Sequence, residues 1–178
     1  GILQFGGARL PCFVLEDGTA VLSARGMVLA LSGRKAGDLG AYVEAISPGT
    51  FIFFAGRKMR IRHPENNSVA DGYPADVFIE VCCLYADALL EGHLHPKQQP
   101  LAMRALCVLR ACAKAGITAA VWEATGYDKI KAQGALQDKL ALALRHEAGK
   151  WSRLFSPDFF AALAKLADPR VCRPPTDR

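Results

Sequence analysis

The segment Lys58-Met59-Arg60-Ile61-Arg62 alternates cation and apolar residue, and Arg57 and His63 flank it. A period of two is the pattern of a half-buried strand, so Lys58, Arg60 and Arg62 are expected on one face. Such a ribbon can neutralise phosphates along a nucleic-acid groove, with Arg34 and Lys35 adding backbone contacts from a glycine-rich loop. The same charges would equally keep a solvated edge strand from aggregating. Nothing in the ribbon specifies a base sequence.

A second constellation is acidic. Asp76, Glu80, Asp87 and Glu91 recur at helical spacing and could dock a basic partner, including the basic part of a second copy, or simply face water. Glu123-Ala-Thr-Gly-Tyr127 follows an apolar stretch. It offers either a binding loop built on Glu123 and Tyr127 or a structural corner, in which Thr125 caps a following helix and Gly126 lets the backbone approach closely. Cys82, Cys83, His93 and His95 are near one another in sequence, but their spacing matches no zinc pattern. Cys83 falls among the acids of the helix as a candidate reactive thiol, and Cys82 toward the core. There is no phosphate loop ending in Lys-Ser/Thr, no Gly-x-Ser-x-Gly elbow and no His-Glu-x-x-His. Neither an enzymatic activity nor a cofactor or metal is therefore expected.

These residues need elements to hold them. Arg9–Leu15 and Thr19–Leu22 read as a hairpin around an Asp17-Gly18 turn, with Pro11 placing the first strand near a sheet edge. Ser23 is suited to cap a helix over Ala24–Leu31, which Gly33 stops. A short helix near Ala41–Ile46, an apolar segment Phe51–Phe54 and a return strand Val69–Tyr73 follow. From Pro74 the pattern is helical. Ala75–Glu91 puts Val77, Phe78, Val81, Leu84, Tyr85, Ala88 and Leu89 on one face. A second helix spans Pro96–Ala115 and ends at Gly116, leaving Ile117–Trp122 as a strand or an extended connection. A third runs Tyr127–Ala148, with Ile130, Leu136, Leu140 and Leu144 inward and Gly149 at its end. Ser156-Pro157-Asp158 starts a fourth that ends near Asp168. The expected class is α+β: a hairpin–helix unit with a small antiparallel sheet (residues 1–73), a helical unit (74–168) and a flexible tail (169–178).

Composition sets the frame. The 178 residues carry 22 Lys+Arg and 17 Asp+Glu, a net charge of +5. The charge is uneven: net +4 over residues 1–62, −4 over 63–128 and +5 over 129–178. That suits a protein meeting an anion on one surface and a protein on another. Half the residues, 51%, are hydrophobic, which is enough for a packed core. No uninterrupted apolar run is long enough for a membrane span, and no charged region precedes an apolar stretch at the start, so neither a membrane partner nor a signal peptide is expected. Six irregularly spaced cysteines predict free thiols and a cytoplasmic setting.

The blocks Pro11–Leu22, Gly72-Tyr73 with Ile79–Cys82, Ala115-Gly-Ile117, Glu123–Tyr127 with Ala135–Gln137, and Trp151 with Phe155–Phe159, in this order, resemble the P-sixty-three-C domain family of phage and prophage proteins. Trp122 departs from it, since an acidic residue commonly precedes the Glu-Ala-Thr-Gly-Tyr block. The Leu15–Leu31 hairpin–helix is similar to the opening of BRO-type domains. The resemblance implies a regulatory role in a phage or other mobile element, acting in a host bacterial cytoplasm in the company of BRO, KilA-N and antirepressor-type regulators. Together with the charge pattern it predicts a non-enzymatic DNA-binding protein, dimeric. The alternative is a module that inhibits or redirects a host protein such as a defence complex, and a third reading is an uncharacterised enzyme.

Overall fold

The computed structural model describes residues 1–5, 8–34, 37–62, 68–127 and 134–154. Strands β1 (Ile2–Phe5), β2 (Ala8–Val14) and β3 (Ala20–Ser23) lead into helices α1 (Ala24–Ser32), α2 (Leu39–Glu44) and α3 (Phe51–Ala55). Strands β4 (Met59–Arg62) and β5 (Val69–Pro74) follow, then the longer helices α4 (Ala75–Leu90), α5 (Gln99–Ala124) and α6 (Ala135–Leu154). The fold is α+β: one five-stranded antiparallel sheet of order β1-β2-β3-β5-β4, followed by packed helices.

The first hairpin closes as its turn chemistry dictates. Asp17 Oδ1 accepts from the Thr19 N–H at 2.9 Å, and the Leu15 N–H donates to the Thr19 carbonyl at 3.0 Å. Ser23 then ends β3 and starts α1 in one residue, its Oγ accepting from the Gly26 N–H at 3.1 Å. Gly33 closes α1 in the left-handed region at φ 73°. Gly26 is required for packing: a Cβ there would fall on the Leu10 side chain and 2.7 Å from Ser23 Oγ, so α1 can lie close to β2 only without one.

β1 was not expected, and it moves Pro11 from a sheet edge to the interior, with Ile2 paired to Pro11 in the β1–β2 register. The missing N–H is tolerated because the β2–β3 pairing stops at Cys12↔Leu22, one residue before Pro11. Phe51–Ala55 is a short helix in which only Phe54 is buried; Ile52 and Phe53 are exposed.

The largest difference from expectation is α5. Gly116 does not stop it, and Ile117–Trp122 are helical rather than extended. An exposed glycine costs about 1 kcal/mol relative to alanine inside a helix, too little to break one rich in Ala and Leu. The Thr118 hydroxyl also bonds back to the Lys114 carbonyl at 2.8 Å. Unbroken, α5 is long and apolar enough on length and composition to cross a membrane, with a mean hydropathy of 1.4 over 18 residues; the break expected at Gly116 had hidden this. Its first half is built into the core through Ala102, Ala105, Val108 and Ala111, whereas Ile117 and Val121 in its second half are exposed. Helix α6 likewise continues through Gly149.

One buried cluster joins Leu10, Leu22 and Tyr73 of the sheet to Met27 and Leu31 of α1, Phe78, Val81 and Tyr85 of α4 and Leu140 and Leu144 of α6. It draws on residues either side of the expected boundary at Tyr73. The helix expected from Ser156 and the tail beyond it lie outside the described residues, as do Lys35, His63 and Ile130.

Candidate nucleic-acid interface

β4 is an edge strand, bonded to β5 on one side. Ile61 is buried and its neighbours Arg60 and Arg62 are exposed, so the alternation in the sequence is realised. The register places Arg60 opposite Asp71 and Arg62 opposite Val69.

Two of the ribbon's cations are already engaged. Lys58 Nζ lies 2.8 Å from Asp71 Oδ2, and that hydrogen bond raises the lysine's pKa from its ordinary value. Arg57 bonds the Asp76 carboxylate, and its Nη1 lies 3.1 Å from Glu80 Oε1. The bond to Arg57 is the largest cause holding the Asp76 carboxyl below the usual carboxylate range. The basic ribbon and the acidic stripe, expected on separate surfaces, therefore meet: the first turns of α4 partly neutralise the start of β4. Arg60 and Arg62 have no ion-pair partner among the described residues.

The rest of the stripe is divided. Asp87 is exposed on α4, while Glu91 sits at the helix end, with Oε2 3.2 Å from His93 Nδ1. Cys83 lies exposed between Glu80 and Asp87. Burial first, then the charges of Asp87 and Glu80, push its thiol pKa up, the opposite of what a reactive thiolate needs. Cys82 is fully buried, as expected. Among the described residues no three His, Cys, Asp or Glu side chains are grouped to hold a metal ion.

Thr125 caps the end of α5 rather than the start of another helix: its hydroxyl donates to the Val121 carbonyl at 2.8 Å. Gly126 follows at φ 72°. The Tyr127 ring packs on Trp122, centroids 5.5 Å apart and tilted by 57°. Glu123 and Tyr127 are both exposed at this corner.

Arg34 does not join the β4 ribbon. It lines a cavity of about 490 Å³ with Lys97 and Arg104, whereas Lys58 lines a different cavity of about 500 Å³ with Asp38 and Asp71. A further cationic group lies between α5 and α6. Glu147, whose side chain is only 3% exposed, bonds Lys114 Nζ and lies 3.8 Å from Arg110 and 3.9 Å from Lys150. The Lys114 bond is the main cause holding its carboxyl below the usual range. Neither grouping was legible, because each draws its members from separate elements.

The geometry thus defines an α+β protein with an arginine-bearing edge strand and further exposed cations, some held by carboxylates of the same chain. No protein family, curated protein or solved structure matches the chain.

Proposed function

We propose that this chain binds nucleic acid without acting on it chemically, contacting backbone phosphates through Arg60 and Arg62. The observation that carries the reading is the exposure of these two guanidinium groups on an edge strand, without a described acidic partner, while Ile61 anchors the strand between them. Alternate residues of a strand stand about 6.8 Å apart, roughly the axial rise of two base pairs. Two such cations suit a modest, sequence-independent contact, which a second copy in a homodimer would double. The regulatory, phage-associated setting rests only on the resemblance read in the sequence, Glu123–Tyr127 above all.

The test is fluorescence anisotropy with a labelled duplex at about 50 mM salt. Arg60→Ala with Arg62→Ala is expected to flatten the slope of log K against log salt by about 1.8. Failure of the unmodified protein to bind at low salt would sink the proposal.

A second reading, a module for a host protein, is favoured by the exposed Ile117 and Val121 on α5. It predicts a stoichiometric partner in a bacterial lysate that survives nuclease and is lost on Ile117→Asp. Recovery only in the presence of nucleic acid would exclude it.

A further inference from the structure

The cavity that holds Arg34 has three cations and no described carboxylate among its lining residues. They come from three places: Arg34 just after α1, Lys97 just before α5, and Arg104 one turn into α5. None has an ion-pair partner among the described residues. Local bonds fix the backbone at Arg34 and Lys97. The Arg34 N–H donates to Ser32 Oγ at 3.1 Å, and that hydroxyl donates to the Val28 carbonyl at 2.8 Å. The Lys97 N–H donates to His95 Nδ1 at 3.3 Å. The Arg104 guanidinium lies against Gly33, where any Cβ would collide with it.

The walls are tied together as well. Gln98 Nε2 donates to the Ala45 carbonyl at 3.0 Å, fastening the start of α5 to the end of α2. The buried Tyr85 hydroxyl donates to the Tyr42 carbonyl at 2.9 Å, fastening α4 to α2. Both tethers belong to residues lining the cavity, so its shape is set before any ligand arrives, which lowers the ordering cost of binding. Tyr42, Pro100 and Leu101 supply apolar wall. The volume falls within the range of small-molecule sites, about 300–1,000 Å³.

We propose that this cavity binds a small phosphomonoester with an aromatic or apolar body, of mononucleotide size. Arg34, Lys97 and Arg104 meet the phosphate, and Tyr42 and Leu101 cover the body. Guanidinium pairs suit phosphate through parallel N–H donors. The site is independent of the β4 edge and of the nucleic-acid reading.

The experiment is calorimetric titration of the full chain at low salt with adenosine monophosphate, adenosine, and inorganic phosphate. Saturable binding of the monophosphate below about 1 mM, tighter than either half alone, is expected. Arg104→Met and Lys97→Met should each weaken it about tenfold or more, with unchanged melting temperatures. Arg60→Ala with Arg62→Ala should leave it intact. No saturable binding of the monophosphate, binding insensitive to both Arg104→Met and Lys97→Met, or displacement of the monophosphate by short duplex DNA would each overturn the proposal. Duplex affinity, read separately on the Arg60 and Arg62 variant, reports on the edge-strand reading alone.

Discussion

Asp76→Asn combined with Glu80→Gln is expected to strengthen nucleic-acid binding. In the native protein Arg57 is engaged by both carboxylates, which also set two negative charges beside β4. Neutralising them releases a third cation next to Arg60 and Arg62 without disturbing buried packing, since Asp76 and Glu80 are exposed and surface ion pairs contribute little to stability. With about 0.9 counterions released per phosphate contact, two contacts weaken binding about 12-fold between 50 and 200 mM salt, and three weaken it about 42-fold. At 50 mM the double variant should also bind more tightly, because a freed Arg57 adds a cation and two negative charges in contact with it are removed. Anisotropy titrations with one duplex at four salt concentrations measure both effects. An unchanged or shallower salt slope would refute the idea that Arg57 is a cation held in reserve by α4. Loss of binding would mean that the stripe itself is the contact surface.

Other outcomes follow from the same geometry. Gly26→Ala sets an overpacking cost of about 1–3 kcal/mol against Leu10 against a helix-propensity gain of about 1 kcal/mol, so the urea midpoint should fall or at best hold; a clear rise would contradict the close α1–β2 approach. Glu147→Gln should cost about 1–2 kcal/mol at neutral pH, the lower part of the range for charged hydrogen bonds because Lys114 and Arg110 are half exposed. Because the folded carboxyl is held below its unfolded pKa near 4.3, that contribution is complete above about pH 5 and lost as pH falls through the folded value. Denaturation curves of the two proteins should therefore converge in acid; a gap that stays constant down to pH 3 would exclude the assignment. Cys83 should alkylate more slowly at pH 7.5 than an unperturbed exposed thiol, and mass-resolved labelling as fast as that of a cysteine in an unstructured peptide would contradict the pKa direction.

The legible parts were those settled within a few residues. Asp17-Gly18, Ser23 and Gly33 each act on backbone groups at most four positions away, so turn, cap and stop could be read directly. The alternation at Met59–Arg62 was likewise local. What escaped depends on distant partners. β1 has only four residues, too few to show a period by themselves, and its ladder is supplied by β2. Gly116 reads as a stop until neighbouring helix formers outweigh it. Arg57 meets Asp76 and Glu80 across 19 and 23 residues, and the grouping of Arg34, Lys97 and Arg104 exists only once α1 and α5 are packed together.

The continuity of α5 has a mechanical consequence. At 1.5 Å per residue its 26 residues make a rod of about 39 Å. Its first turn forms a wall of the Arg34 cavity, and its last turns carry the exposed Ile117 and Val121. Pinned in the core through Ala102, Ala105, Val108 and Ala111, the rod holds two surfaces at a fixed spacing: Leu101 of the cavity and Val121 of the exposed end stand about 30 Å apart along one unbroken helix.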